Sequence, residues 1–163
     1  MEWPKRDVRI ARQQFKNLIE QARDRFREDP SDDVFSRFLL IRSSGYLEYG
    51  FEKTLCDWAE GQASPKVAGF VRSNFGKGRN PSPEKLRDVL GKFDSELRAR
   101  FDMRIAEDDD LVKREVQWMV DRRNKIVHGE SENVTASRSL KIAEMCSELV
   151  DWLIEELRPE TVS

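Results

Sequence analysis

Asp121-Arg122-Arg123-Asn124-Lys125-Ile126-Val127-His128-Gly129 is the stretch from which both the fold and the chemistry of this chain are read. It holds the only histidine, and it sets three cations and that histidine within the seven residues from Arg122 to His128. It closes an amphipathic run. Val112, Val116, Met119, Val120, Arg123, Ile126 and Val127 recur at helical spacing, which predicts a helix over 111–127. Gly129 is placed to end that helix. Glu107 to Asp110 stand just before it, and four acids complement the positive end of a helix dipole. Consecutive acids at a helix start diverge in direction, and nothing nearby completes a site, so a metal cluster is the weaker reading. Downstream, Thr135 caps a last helix over 136–157, with Ile142, Met145, Leu149, Trp152, Leu153 and Leu157 as its apolar seam and Pro159 as its stop. The connection over 130–134 is short, which implies two long antiparallel C-terminal helices.

Working back towards the N-terminus, no strand alternation is sustained. Ile10, Phe15, Leu18, Ile19, Ala22 and Phe26 mark a helix over 4–28, with Pro4 at its first position. Asp29-Pro30 breaks it, and Ser31 or Asp32 caps the next. That second helix, over 33–60, carries Val34, Phe35, Phe38, Leu39 and Ile41 on one side. Phe51, Leu55, Cys56, Trp58 and Ala59 follow on a later side. Gly45 and Gly50 interrupt it, each costing about 1 kcal/mol against Ala. Two of them predict close packing against a neighbouring helix, or a kink. Ser64-Pro65 and Ser82-Pro83 each place a serine cap before a first-turn proline, opening helices over 66–75 and 84–93. Between them, Phe75-Gly76-Lys77-Gly78-Arg79-Asn80-Pro81 lacks Walker spacing and a preceding strand, so it reads as a plain connection rather than a phosphate cradle. A short helix over 94–104 carries Leu97, Phe101 and Ile105 beside it. The expected fold is all-α: a compact helical bundle, one domain over 1–163.

Composition narrows the partners. The 163 residues are 37% charged and 38% hydrophobic, with four Trp and nine Phe to fill a core. The formal net charge is −2, whereas a nucleic-acid binder usually announces itself by a basic total. Phosphate contact must therefore come from a local patch. Lys113, Arg114, Arg122, Arg123 and Lys125, set against Glu115 and Asp121, supply one. Cys56 and Cys146 are far apart and flanked by apolar residues, which predicts buried thiols rather than a disulfide or zinc site. No apolar run reaches the roughly 18 residues of a membrane span, so the expected location is cytoplasmic and no membrane partner is expected.

Arg123 falls on the apolar stripe, where a solvated arginine does not belong, and burying a guanidinium unpartnered is costly. An acid partner inside the fold, or a cleft or interface, is expected there. His128 lies five residues on, roughly 140° around the helix axis. Asn124 and His128 share a face instead. Convergence of Arg123 with His128 requires either that the helix end near Val127 and let His128 swing, or that a second copy supply the other half. These residue types suit phosphodiester cleavage. Histidine moves a proton near neutral pH, arginine holds a phosphate bidentately, and asparagine orients either one. With no His, Asp and Glu cluster at ligand spacing, no metal and no cofactor is expected. The nucleophile is then internal, which favours RNA with its 2′-hydroxyl. On residue types alone, a histidine at a helix C-terminus is more often a simple cap or dipole partner.

Arg123-Asn124-Lys125-Ile126-Val127-His128-Gly129 resembles the Arg-x4-6-His motif of the HEPN superfamily. The polar residue after the arginine belongs to that pattern, and the last helix begins a few residues after the histidine. The RiboL-PSP type of HEPN domain is similar from the second helix to the end. The resemblance implies a helical homodimer with a composite active site, acting as a metal-independent endoribonuclease of toxin–antitoxin or antiviral defence systems. Carried over, Arg123 and His128 are catalytic and Asn124 supports them. Arg122 and Lys125 are candidates for RNA contact, and Glu48 is the candidate supporting acid from a facing helix. An antitoxin protein is among the implied partners. One position departs from the pattern of some toxins in this superfamily, which carry a modifiable tyrosine three residues after the histidine. Ser131 stands there, so silencing by that route is not expected. The alternative is a non-catalytic HEPN module that binds RNA, a nucleotide or a partner protein, a reading the acidic total favours.

Overall fold

A computed structural model describes residues 2–76 and 80–160. The described residues form six helices: α1 (Arg6–Glu28), α2 (Asp33–Gln62), α3 (Pro65–Ser73), α4 (Pro83–Phe93), α5 (Ser95–Val127) and α6 (Ala136–Glu156). Among them no helix is long and apolar enough to cross a membrane.

Local chemistry accounts for the ends. The side chain of Asp32 accepts from the Phe35 N–H, Ser82 from Lys85 and Thr135 from Arg138, so each occupies an orphan donor of the first turn. Ser64 precedes Pro65 but makes no side-chain cap bond. The first helix starts at Arg6, leaving Pro4 outside it rather than at its first position.

The long α2 is the central element, packing on α1, α3, α5 and α6. Its Leu39, Leu40, Leu47, Leu55 and Phe51 are among the largest fully buried side chains. Phe35 turns in against Phe26, 5.5 Å between ring centroids, and this leaves Val34 and Phe38 outside (72% and 46% exposed). The expectation that Val34 and Phe38 belong to the core face is thereby corrected. Ile10 in α1 and Val127 in α5 are likewise exposed. Of the two α2 glycines, only Gly50 packs closely. A Cβ there would meet Val150 Cγ2 of α6 at 2.6 Å, whereas Gly45 meets nothing within 4 Å. Cys56 and Cys146 are buried thiols, and burial pushes the Cys56 thiol up to about 11.

The fifth element is two rods. Glu107 is extended (ψ 151°), and Asp108, Asp109 and Asp110 adopt left-handed φ of 53°, 59° and 60°. These acids form the joint between the rods instead of a regular first turn, a place aspartate tolerates better than bulky residues do. Taken across both rods, α5 runs antiparallel to α6, with ion pairs on either side of the joint and one to the connecting loop. Arg100 meets Glu156 (2.6 Å), Arg104 meets Glu148 (3.8 Å), Glu115 meets Arg138 (3.0 Å), and Arg122 meets Glu132. The connection over 75–81 lies in part outside the described residues, at 77–79.

Candidate active site at the end of the fifth helix

The last turn of α5 ends in a Schellman arrangement. The Gly129 N–H donates to the Ile126 carbonyl (3.0 Å) and the Glu130 N–H to Lys125 (3.0 Å). Gly129 provides the positive φ, 82°, that the turn requires. His128 is the C-cap, at φ −83° and ψ 10°, and its N–H still bonds the Asn124 carbonyl at 3.1 Å. The chain therefore keeps near-helical geometry through His128. The separation around the axis from Arg123, roughly 140°, persists. His128 does not swing towards Arg123 within one copy.

Asn124 connects the two instead. Its Oδ1 accepts from Arg123 Nη1 at 3.2 Å, while its backbone carbonyl holds the His128 N–H. Arg123 is half-buried and His128 exposed. Among the described residues, Arg123 has no ion pair within 4 Å. Glu48 of α2 lies in its field without a direct bond. Burial, and then the charge of Glu52, push the Glu48 carboxyl above its ordinary range, while Arg123 and Lys85 of α4 pull it down. The structure thus brings Arg123 and Asn124 into contact, with Glu48 in the field of Arg123, and leaves the His128 side chain exposed on another side of the helix.

Arg122 and Lys125 face another way. Both reach Glu132 in the α5–α6 loop, Arg122 through Nη1 and Lys125 through Nζ at 3.3 Å. Burial opposes ionisation of Glu132, but Lys125 and Arg122 outweigh it and hold the carboxyl below its ordinary range. The Arg122 guanidinium lies 5.1 Å from the centre of the Trp118 ring, and Arg138 lies 3.6 Å from it. Arg138 also binds both oxygens of Glu115, at 3.0 Å each. Sequence reasoning singled out neither Glu132 nor Trp118. The spacing of Arg122 and Lys125 on one helix face, with an acid in the following loop, is the signal that was there to be used.

Lys113 and Arg114 lie further back on α5, exposed beside a cleft between α4 and α5 that Trp118 and Gln117 also line. Among the described residues neither has an ion pair within 4 Å, whereas Arg87 across the cleft is held by both oxygens of Asp102. No group of three His, Cys, Asp or Glu that could hold a metal occurs among the described residues.

Comparison with curated proteins and with solved structures finds no significant match. A family model, RiboL-PSP-HEPN, matches residues 6–158, from the first residue of α1 to just beyond α6. With the all-helical fold and the motif at the end of α5, this match makes the chain a member of the RiboL-PSP-type HEPN family, a family of nuclease and RNA-related modules.

Proposed function

We propose that the chain is a metal-independent endoribonuclease that works as a homodimer, serving as a toxin or defence effector in the cytoplasm. The observation that carries this reading is the double role of Asn124, which holds Arg123 by its side chain and His128 by its backbone. In the proposed step the His128 imidazole takes the proton of an RNA 2′-hydroxyl. The 2′-oxygen bonds to the adjacent phosphorus and the bond from phosphorus to the 5′-oxygen breaks. The leaving oxygen takes a proton from the protonated His128 of the second copy or from water. Arg123 balances charge on the phosphoryl oxygens as it develops. Products carry a 2′,3′-cyclic phosphate and a 5′-hydroxyl. Because Arg123 and His128 stand apart in one copy, two copies facing one another supply each site with both residue types. Lys113 and Arg114 offer the phosphate attraction that the acidic total does not. Control by a bound antitoxin protein fits Ser131, which has no phenol to modify.

The test is cleavage of bulk tRNA in EDTA, with product ends read for the cyclic phosphate. His128→Ala and Arg123→Ala should each lower cleavage by about 10²–10⁴-fold at unchanged thermal stability. Cleavage retained by a clean preparation of either variant overturns the assignment. The separation of Arg123 from His128 in one copy favours a second reading, a non-catalytic HEPN module that binds RNA, a nucleotide or a partner protein. Wild-type protein that is folded, dimeric and inert towards RNA supports that reading.

A further inference from the structure

The loop that follows His128 is fastened at both ends. At its start the Schellman bonds tie Gly129 and Glu130 to the last turn of α5. In its middle, Glu132 places one carboxylate oxygen on Arg122 and the other on Lys125. Its side chain is only 13% exposed, so this carboxylate is packed into the junction and does not wave in solvent. At the far end Arg138, in the first turn of α6, grips both oxygens of Glu115. Trp118 joins the two halves, since Arg122 and Arg138 both lie over its ring. A continuous series of contacts runs from Glu132 through Arg122, Trp118 and Arg138 to Glu115.

We propose that Glu132 is a positioning residue for His128: by bridging Arg122 and Lys125 it locks the α5–α6 loop onto the last turn of α5 and fixes where the imidazole stands. Gly129 has a positive φ and no side chain, so it does little by itself to set the direction of the chain after His128. Two backbone bonds at an exposed helix end fray readily. The bridging carboxylate adds two charge-assisted contacts that a frayed end lacks. On this view Arg122 and Lys125 are struts of the loop. To serve as phosphate contacts they would first have to leave Glu132. The proposal rests on the nuclease reading for its consequence in catalysis, but not for its structural content.

The experiment uses tag-free, isotope-labelled full chain. Its single histidine makes the imidazole signals those of His128 without further assignment. Wild type, Glu132→Gln and Glu132→Asp are compared by those signals, by amide exchange at Gly129 and Glu130, and by RNA cleavage kinetics. Glu132→Gln should speed exchange at Glu130 by about tenfold, with exchange at Val116 unchanged, and should shift or broaden the His128 signals. Its kcat should fall by about tenfold with KM nearly unchanged. Glu132→Asp should recover part of each change. Unchanged exchange and unchanged imidazole signals overturn the proposal. So does a lower KM with kcat intact, which would mark Glu132 as a competitor of phosphate. If wild type cuts no RNA, the nuclease reading fails, while the exchange and imidazole measurements still decide the role of Glu132. Should Glu132→Gln unfold, Lys125→Gln, which keeps the Arg122 contact, is read in the same way with a smaller expected change.

Discussion

Where α2 meets α6, Gly50 lets Val150 come so near that an added Cβ would lie 2.6 Å and 2.9 Å from its two γ carbons. Where α5 meets α6, Arg138 lies 3.6 Å over Trp118 and binds both oxygens of Glu115, and Glu132 bridges two cations. The first interface is fixed by shape, and the second, beyond its buried Met119–Cys146 contact, by charge along its rim. Packing of the first kind barely responds to salt or pH. The second kind responds to both, and it is the one that carries the motif.

Substitution at the shape-fixed interface should have the largest effect on stability. Gly50→Ala relieves a helix penalty of up to about 1 kcal/mol, but it drives a methyl into a stiff, β-branched neighbour, and overpacking costs about 1–3 kcal/mol. With the full helix gain realised, a net loss of up to about 2 kcal/mol in urea unfolding is expected. Gly45→Ala, with open space around it, should gain up to about 1 kcal/mol. Equal effects at the two glycines would break the comparison.

At the charge-fixed junction, Arg138→Ala should cost about 1 kcal/mol at low salt, since the guanidinium is partly exposed. Raising the salt should shrink that cost and leave the Gly50→Ala cost unchanged. Urea midpoints measured at two ionic strengths separate the cases, and a salt-independent Arg138→Ala cost would show that packing on Trp118 outweighs the ion pair.

Acid gives the smallest and sharpest probe. The Glu132 carboxyl is held below its ordinary range when folded. A depressed carboxylate contributes stability above its unfolded value, and that contribution is lost as pH falls through the range between the unfolded and folded values. Amide exchange at Glu130 should therefore quicken as pH drops through the usual carboxylate range, after correction for the intrinsic rate, and Glu132→Gln should lack that dependence. A pH-dependence that survives Glu132→Gln would assign it to another group.

The resemblance and the fold agreed because the signals behind them are local. The Asp32, Ser82 and Thr135 caps, the Gly129 stop and the stripe from Val112 to Val120 each act within a turn or two of helix. The break before Leu111 was legible too, although the acids turned out to form a left-handed joint rather than a first turn. The site was legible in part. The half-buried Arg123 matches its place on the apolar stripe, but Val127 continues that stripe in sequence and is 54% exposed in space. The helix ends there, with Ile126 turned against the core and Val127 turned to solvent.

Sequence alone determined which segments are helical, where most of them start and stop to within a few residues, and that an arginine, an asparagine and a histidine fall at the end of the penultimate long helix. Those features depend on contacts between residues a few positions apart. Only the tertiary structure decided that α2 is buried by helices on several sides, that Gly50 and not Gly45 meets α6, and that Glu132 takes Arg122 and Lys125. These depend on how helices cross and rotate against one another. Periodicity defines a face, but it does not say what will stand opposite.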